Sequence, residues 1–189
     1  MARSIRGVAA AFVLTLALTP IASARTLAGV TLPNSVRAGG ARLVLNGSAV
    51  YRKFGFKVLV AGLYLPARER DARLILGANR SRRYVSHFVR DVSAKQIRNA
   101  WRKGLRENTP GVSEEVQRQY QVLYSWLVDM KPGQEIVFSY RPGFGSSIEI
   151  GGRPVGRLPG KAVADAYFAM ALGPKPACGE SFKRQLLGL

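Results

Sequence analysis

Chemistry needs reactive side chains in the right company, and this chain has few of them. His87 is its only histidine and Cys178 its only cysteine. A lone histidine can act as a general base. A zinc site, however, needs several nitrogen or sulfur ligands, and no second histidine or cysteine pair exists to supply them. We therefore expect no metal, no other cofactor and no internal disulfide. His87 falls in a run, Arg82 to Arg90, where Tyr84, Ser86 and Phe88 alternate with Val85, His87 and Val89. That alternation marks a strand, with His87 on a partly covered face. Glu114 and Glu115 follow Ser113, which is a helix N-cap pattern. Carboxylates there meet the positive end of the helix dipole, so the pair has a structural reason and need not be an acid/base site. None of GxxxxGK[ST], GxGxxG or GxSxG occurs. The glycine-rich Pro142-Gly143-Phe144-Gly145 lies between two strand patterns and reads as a hairpin.

The elements that would position any site are organised around Leu43 to Pro66. This stretch reads as two strands with a kink between them. In the second, Phe56 to Leu65, Val58, Val60, Gly62 and Tyr64 point one way, and Leu59, Ala61, Leu63 and Leu65 the other. Both faces are apolar, so the strand is expected to be central and covered on both sides. Helices would form one cover; a loop layer, a second sheet or a ligand would form the other. Thr26 to Gly40, with Pro33, Asn34, Gly39 and Gly40, reads as a lead-in segment and a turn. A short helix is expected around Asp71 to Leu76. Ser93 and Gln96 have the form of a capping box, opening a helix with Ile97, Ala100, Trp101 and Leu105 on one face. Ser113 caps the next helix, whose apolar stripe is Val116, Tyr120, Leu123, Leu127 and Met130. Glu135 to Arg141, Ser146 to Ile150 and Arg153 to Val155 read as strands. A third helix starts at Pro159, carries Val163, Ala166, Tyr167 and Met170, and stops at Gly173-Pro174. Glu180 to Leu187 reads as a short last helix.

Charge and compartment bound the partners. Lys plus Arg number 29 against 11 Asp plus Glu, a formal +18. Such a balance usually raises nucleic acid as a partner. The N-terminus argues otherwise. Arg3 and Arg6 form a positive region, Val8 to Leu18 a short apolar one, and Ala22-Ser23-Ala24 a small-x-small cleavage pattern. The apolar run is shorter than the roughly 20 residues that span a bilayer core of about 30 Å. The expectation is a signal peptide over residues 1–24, cleaved after Ala24, and a single domain over residues 25–189 in the periplasm. Nucleic acid is not expected there. The remaining polyanion is an anionic membrane surface or lipopolysaccharide, to which a basic protein is weakly attracted.

Four phrases carry a resemblance: LNGSAV followed by KVLVAGLYLP, FVRDVSAKQIRNAW, KPGQEIVFSYRPGFGSSIEIGG, and the ending ALGPKP…LLGL. In this order and spacing, from about Gly29 to the C-terminus, the chain resembles the chalcone isomerase-like family, in particular its bacterial exported branch. The resemblance implies an α+β fold, an open-faced β-sandwich. A large, mostly antiparallel sheet would carry helices on one face, with a ligand cleft between sheet and helices. Active members close a ring by adding a phenolate to an unsaturated ketone, assisted by an arginine, a threonine and a tyrosine. Non-catalytic members hold a fatty-acid carboxylate with an arginine and a tyrosine, and lay the tail in the cleft. Here Tyr51 stands where the arginine is expected, and Arg52 follows one residue later. Leu59 replaces the threonine, Ile97 the tyrosine, and Gly104 a matching asparagine. A one-residue step turns a strand side chain to the other face, so Arg52 would need a bulge or shifted register to take the role.

The resemblance thus implies a non-catalytic exported protein that binds a fatty acid or other amphipathic ligand. Its candidate binding residues are Tyr51, Arg52, Leu59, Tyr64 and Arg90. One alternative is an isomerase or intramolecular lyase on another substrate, for which His87 and Tyr51 are the obvious acid/base groups. The other is an interaction protein whose basic face meets the cell envelope.

Overall fold

The structure, a computed structural model, describes residues 24–189; the expected signal peptide, residues 1–24, lies outside them except for Ala24. Fourteen elements follow Ala24. Strands β1 (Ala24–Leu27) and β2 (Val30–Pro33) form a small antiparallel hairpin. Strands β3 (Ser35–Ala38), β4 (Ala41–Lys53), β5 (Phe56–Leu65), β6 (Arg82–Phe88), β7 (Glu135–Arg141), β8 (Gly145–Ile150) and β9 (Arg153–Leu158) form a seven-stranded sheet. Spatial order equals sequence order, and every pairing is antiparallel. Helix α1 (Ala72–Gly77) lies between β5 and β6, while α2 (Ala94–Asn108) and α3 (Glu114–Ser125) lie between β6 and β7. Helices α4 (Ala162–Leu172) and α5 (Glu180–Leu186) end the chain.

Strand β5 is covered on both faces, as its two apolar rows require. Ala61, Leu63 and Leu65 enter the main core with the helices. Val60 and Tyr64 enter a second cluster, with Val30 and Leu32 of the β1–β2 hairpin. The second cover is therefore a small sheet. Thr26 to Gly40, read from sequence as a lead-in and turn, holds the end of β1 and all of β2 and β3, strands of four residues each. They are so short that their turns, Ala28-Gly29 and Gly39-Gly40, dominate the local pattern. The hairpin covers only part of that face. Farther along it, Arg83 reaches Ser139 and Glu149 at 3.1 Å each across a half-open polar surface, which makes the sandwich open-faced.

A bulge sets which way β4 faces. Leu45 pairs with Tyr64 and Gly47 with Leu63, so Asn46 is an extra residue. An inserted residue inverts the alternation beyond it. Leu43 and Leu45 accordingly face the hairpin, while Ala49 and Tyr51, also odd-numbered, face the helices. The Asn46 side chain is used fully. It donates to the carbonyls of Glu69 (3.0 Å) and Leu186 (2.9 Å) and accepts from the Glu69 amide (2.7 Å). At Gly47 the α5 backbone comes so close that a Cβ would overlap the carbonyls of Gln185 and Leu186.

Helices α2 and α3 start where their caps place them. Ser93 and Gln96 form a complete capping box, and the Ser113 hydroxyl accepts from the Val116 amide. Helix α3 ends at Ser125, so Leu127 and Met130 lie beyond it; Met130 instead forms an isolated bridge with Val92. Helix α4 begins at Ala162, one turn later than Pro159 suggested. It is buried nearly all round, sandwiched between the sheet, α1, α2 and α3. Arg82, itself buried on β6, anchors it through Asp165 at 2.6 Å, with Phe168 under the guanidinium.

Candidate functional site

Where α2 and α4 leave the β4–β5–β6 end of the sheet, a cleft of about 480 Å³ opens. That lies within the range of about 300–1,000 Å³ typical of small-molecule sites. Four strands make its floor: Tyr51 from β4, Val58 and Leu59 from β5, Tyr84, Ser86 and Phe88 from β6, and Ile136 from β7. The roof is Ile97, Ala100 and Trp101 of α2 with Tyr167, Met170 and Ala171 of α4. Cys178 and Ala177, before α5, close one side. The rim is polar and aromatic: Lys53, Phe54, Phe56, Arg90, Asp91 and Gln96.

Depth follows the period of two along β6. Tyr84, Ser86 and Phe88 are buried in succession, and the exposed Arg90 lies just past the strand end. The cleft is thus an apolar slot with its cations at the mouth. Arg90 lies over the Phe56 ring, 4.9 Å from the centroid, and Lys53 over the Phe54 ring at 5.6 Å. The carboxylate at the rim, Asp91, is paired with Lys131 at 3.1 Å.

Inside, four segments bring phenols and a thiol together. Tyr167 is stacked on Phe138 (3.8 Å between centroids), and the edges of Trp101 and Tyr84 meet it at 5.3 and 6.1 Å. Tyr51 sits edge-on to Phe182 of α5. Burial raises the pKa of Tyr84 and Tyr167 well above the ordinary phenol value, and of Tyr51 less. It pushes the Cys178 thiol up to about 12. Desolvation penalises the anion in each case. At neutral pH the interior therefore offers neutral hydroxyl and thiol groups. They can donate hydrogen bonds but are poor bases and poor nucleophiles.

The structure separates the residues singled out from sequence. Tyr51, Leu59 and Arg90 line the cleft. Arg52 does not. A second register shift does occur here, since Tyr51 pairs with Leu59 and Arg52 with Lys57, but the extra residue is Val58 on β5. The alternation of β4 is undisturbed, and Arg52 is exposed on the side away from the cleft. Tyr64 is buried against the β1–β2 hairpin on the opposite face. His87 is on that face too, its Nδ1 2.9 Å from Glu135 Oε1, and so is not placed to serve the cleft as acid or base. Ile97 is in the roof. Gly104 is where α2 meets α4: a Cβ there would lie 3.2 Å from Met170 and 3.3 Å from Ala177, so an asparagine would have to displace them.

Sequence reasoning missed Tyr84, Tyr167 and Cys178 as cleft residues. Tyr84 and Tyr167 had sufficient local explanations, as strand and helix stripe, and Cys178, the single cysteine, had no disulfide partner to draw attention to it. The available signal was the parity of Tyr84 with Ser86 and Phe88, on the face away from His87.

Three comparisons bear on this geometry. A family model described as chalcone isomerase-like matches residues 24–188. The crystal structure of an Arabidopsis thaliana fatty-acid binding protein superposes with a TM-score of 0.69 at 15% sequence identity, covering 87% of this chain and 96% of that one. No curated protein sequence matches.

Proposed function

Since the chain belongs to the chalcone isomerase-like family, we propose that it binds a fatty acid, or a similar amphipathic carboxylate, without transforming it. The observation that carries this reading is the polarity of the cleft: an apolar slot of about 480 Å³ with Arg90 and Lys53 at its mouth. The tail enters the slot, and the carboxylate stays at the rim within the field of the two cations. Burying the carboxylate among the phenols instead would remove an ion from water with no cation beside it, which is the more costly arrangement. The structurally similar plant fatty-acid binding protein supports the ligand class. Ring closure is the weaker reading. Tyr51, Leu59 and Ile97 stand at the positions where the resemblance expects arginine, threonine and tyrosine, and the phenols present hold their protons tightly. The signal pattern of residues 1–24 supports a periplasmic setting.

The test is native mass spectrometry of the protein purified from its own cells, followed by extraction of whatever it carries. A co-purified acyl carboxylate, displaced by added palmitate, is the expected result. A protein that arrives empty and stays empty across a panel of fatty acids would overturn the proposal.

A further inference from the structure

The β4–β5 hairpin tip is built against the usual preferences. Phe54 and Gly55 are its two central residues, both with positive φ (51° and 81°). A turn of this hand favours Asn, Asp or Gly at its first position, and a bulky aromatic there is strained. Phe54 is also 89% exposed and Phe56 62%, the two most exposed large apolar residues described. Neither helps bury the core. Both belong to the rim of the cleft. Cations surround them. Lys53 and Arg90 flank the rings on the cleft side, and the exposed pair Arg52 and Lys57 faces the other way. The nearby carboxylate, Asp91, is already paired with Lys131.

We propose that this tip docks on an anionic lipid bilayer, inserting Phe54 and Phe56 at the headgroup level while Arg52, Lys53, Lys57 and Arg90 meet lipid phosphates. Exposed aromatics ringed by basic residues are the pattern of interfacial binding. The cleft opens at the same rim, so docking places its mouth against the acyl layer. A lipid-derived ligand then passes between bilayer and cleft without crossing water. This rests on the ligand reading above for its purpose, but not for its test.

The purified protein is mixed with vesicles of phosphatidylglycerol and phosphatidylethanolamine, or of phosphatidylcholine alone, and the bound fraction is measured by sedimentation. Palmitate binding is measured separately in vesicle-free buffer. The wild type is expected to bind the anionic vesicles at least tenfold more strongly than neutral ones. Arg52→Glu/Lys57→Glu, two residues outside the cleft, and Phe54→Ser should each lose at least tenfold of that binding. Leu74→Ser/Val122→Ser, exposed apolar residues elsewhere, should lose none. Equal binding by wild type and tip variants overturns the proposal, as does equal loss in the control. Loss of vesicle binding by Arg52→Glu/Lys57→Glu with palmitate affinity kept supports docking. A wild type that binds vesicles but no palmitate leaves docking standing and removes the ligand reading.

Discussion

Arg90 lies over the ring of Phe56 with its guanidinium carbon 4.9 Å from the centroid. The contact holds a flexible, exposed cation at the mouth of an apolar cleft and leaves its donors free for an anion. Arg90→Ala should therefore weaken binding of a long-chain fatty acid about two- to fivefold, the modest range of a solvent-exposed charge contact. The loss should shrink as salt rises. The corresponding fatty alcohol should bind wild type and variant alike. Titration calorimetry with both ligands checks this, and an equal loss for acid and alcohol would show that Arg90 acts through packing.

Tyr84 gives a less intuitive outcome. It is a buried residue lining the slot proposed to hold an alkyl tail. A saturated tail cannot hydrogen-bond it, and a buried unsatisfied hydroxyl costs about 1–3 kcal/mol. Tyr84→Phe should tighten binding of a saturated fatty acid, by about fivefold or more. If it weakens binding instead, the phenol contacts a ligand oxygen and the head lies inward.

Stability should fall in alkali. Tyr64 is pushed up to about 12, Cys178 likewise, and Tyr84, Tyr120 and Tyr167 are raised by the same desolvation. The sign follows from proton counts. Above the unfolded values, near 9 for the thiol and 10 for the phenols, the unfolded chain sheds protons that the folded chain keeps. The slope of unfolding free energy with pH is then negative. These groups contribute no pH dependence below about pH 8 and a progressive loss of stability from about pH 9 to 12. Denaturant midpoints across that range test it, and Cys178→Ala should remove the earliest part of the decline.

Asn46 and Gly47 form the joint between β4, the loop at Glu69 and helix α5. Asn46→Ala breaks three hydrogen bonds and orphans buried backbone groups, so it should cost about 2–4 kcal/mol. Gly47→Ala should cost about as much, because rigid backbone rather than a movable side chain stands in the way. Each should lower the unfolding temperature markedly.

The fold was largely legible because its signals are local. The doubly apolar rows of Phe56 to Leu65 marked a central strand, the Ser93/Gln96 box marked the start of α2, and the ordered phrases pointed to the family now matched over residues 24–188. The site was legible only in part. The strand position of Tyr51 did not disclose that an extra residue at Asn46 sets its face. Tyr64 reads like Tyr84 in isolation; only the sheet's two covers tell them apart. The cluster of Tyr51, Tyr84, Tyr167 and Cys178 is drawn from four segments over more than a hundred residues, so no spacing could reveal it. The exposed Phe54 at a positive φ was likewise invisible until the turn was seen.

The proposed function stands on a fatty-acid tail filling the slot between the sheet and helices α2 and α4. Titration of palmitate into wild type and Ala171→Phe tests it most directly, because Ala171 lines the slot and is only partly buried. Saturable binding of one palmitate per chain to the wild type is expected, with at least a tenfold loss in a variant whose thermal unfolding shows it to be folded. A wild type that takes up no palmitate, or a folded Ala171→Phe that binds it equally well, would show that the slot is not where the tail lies.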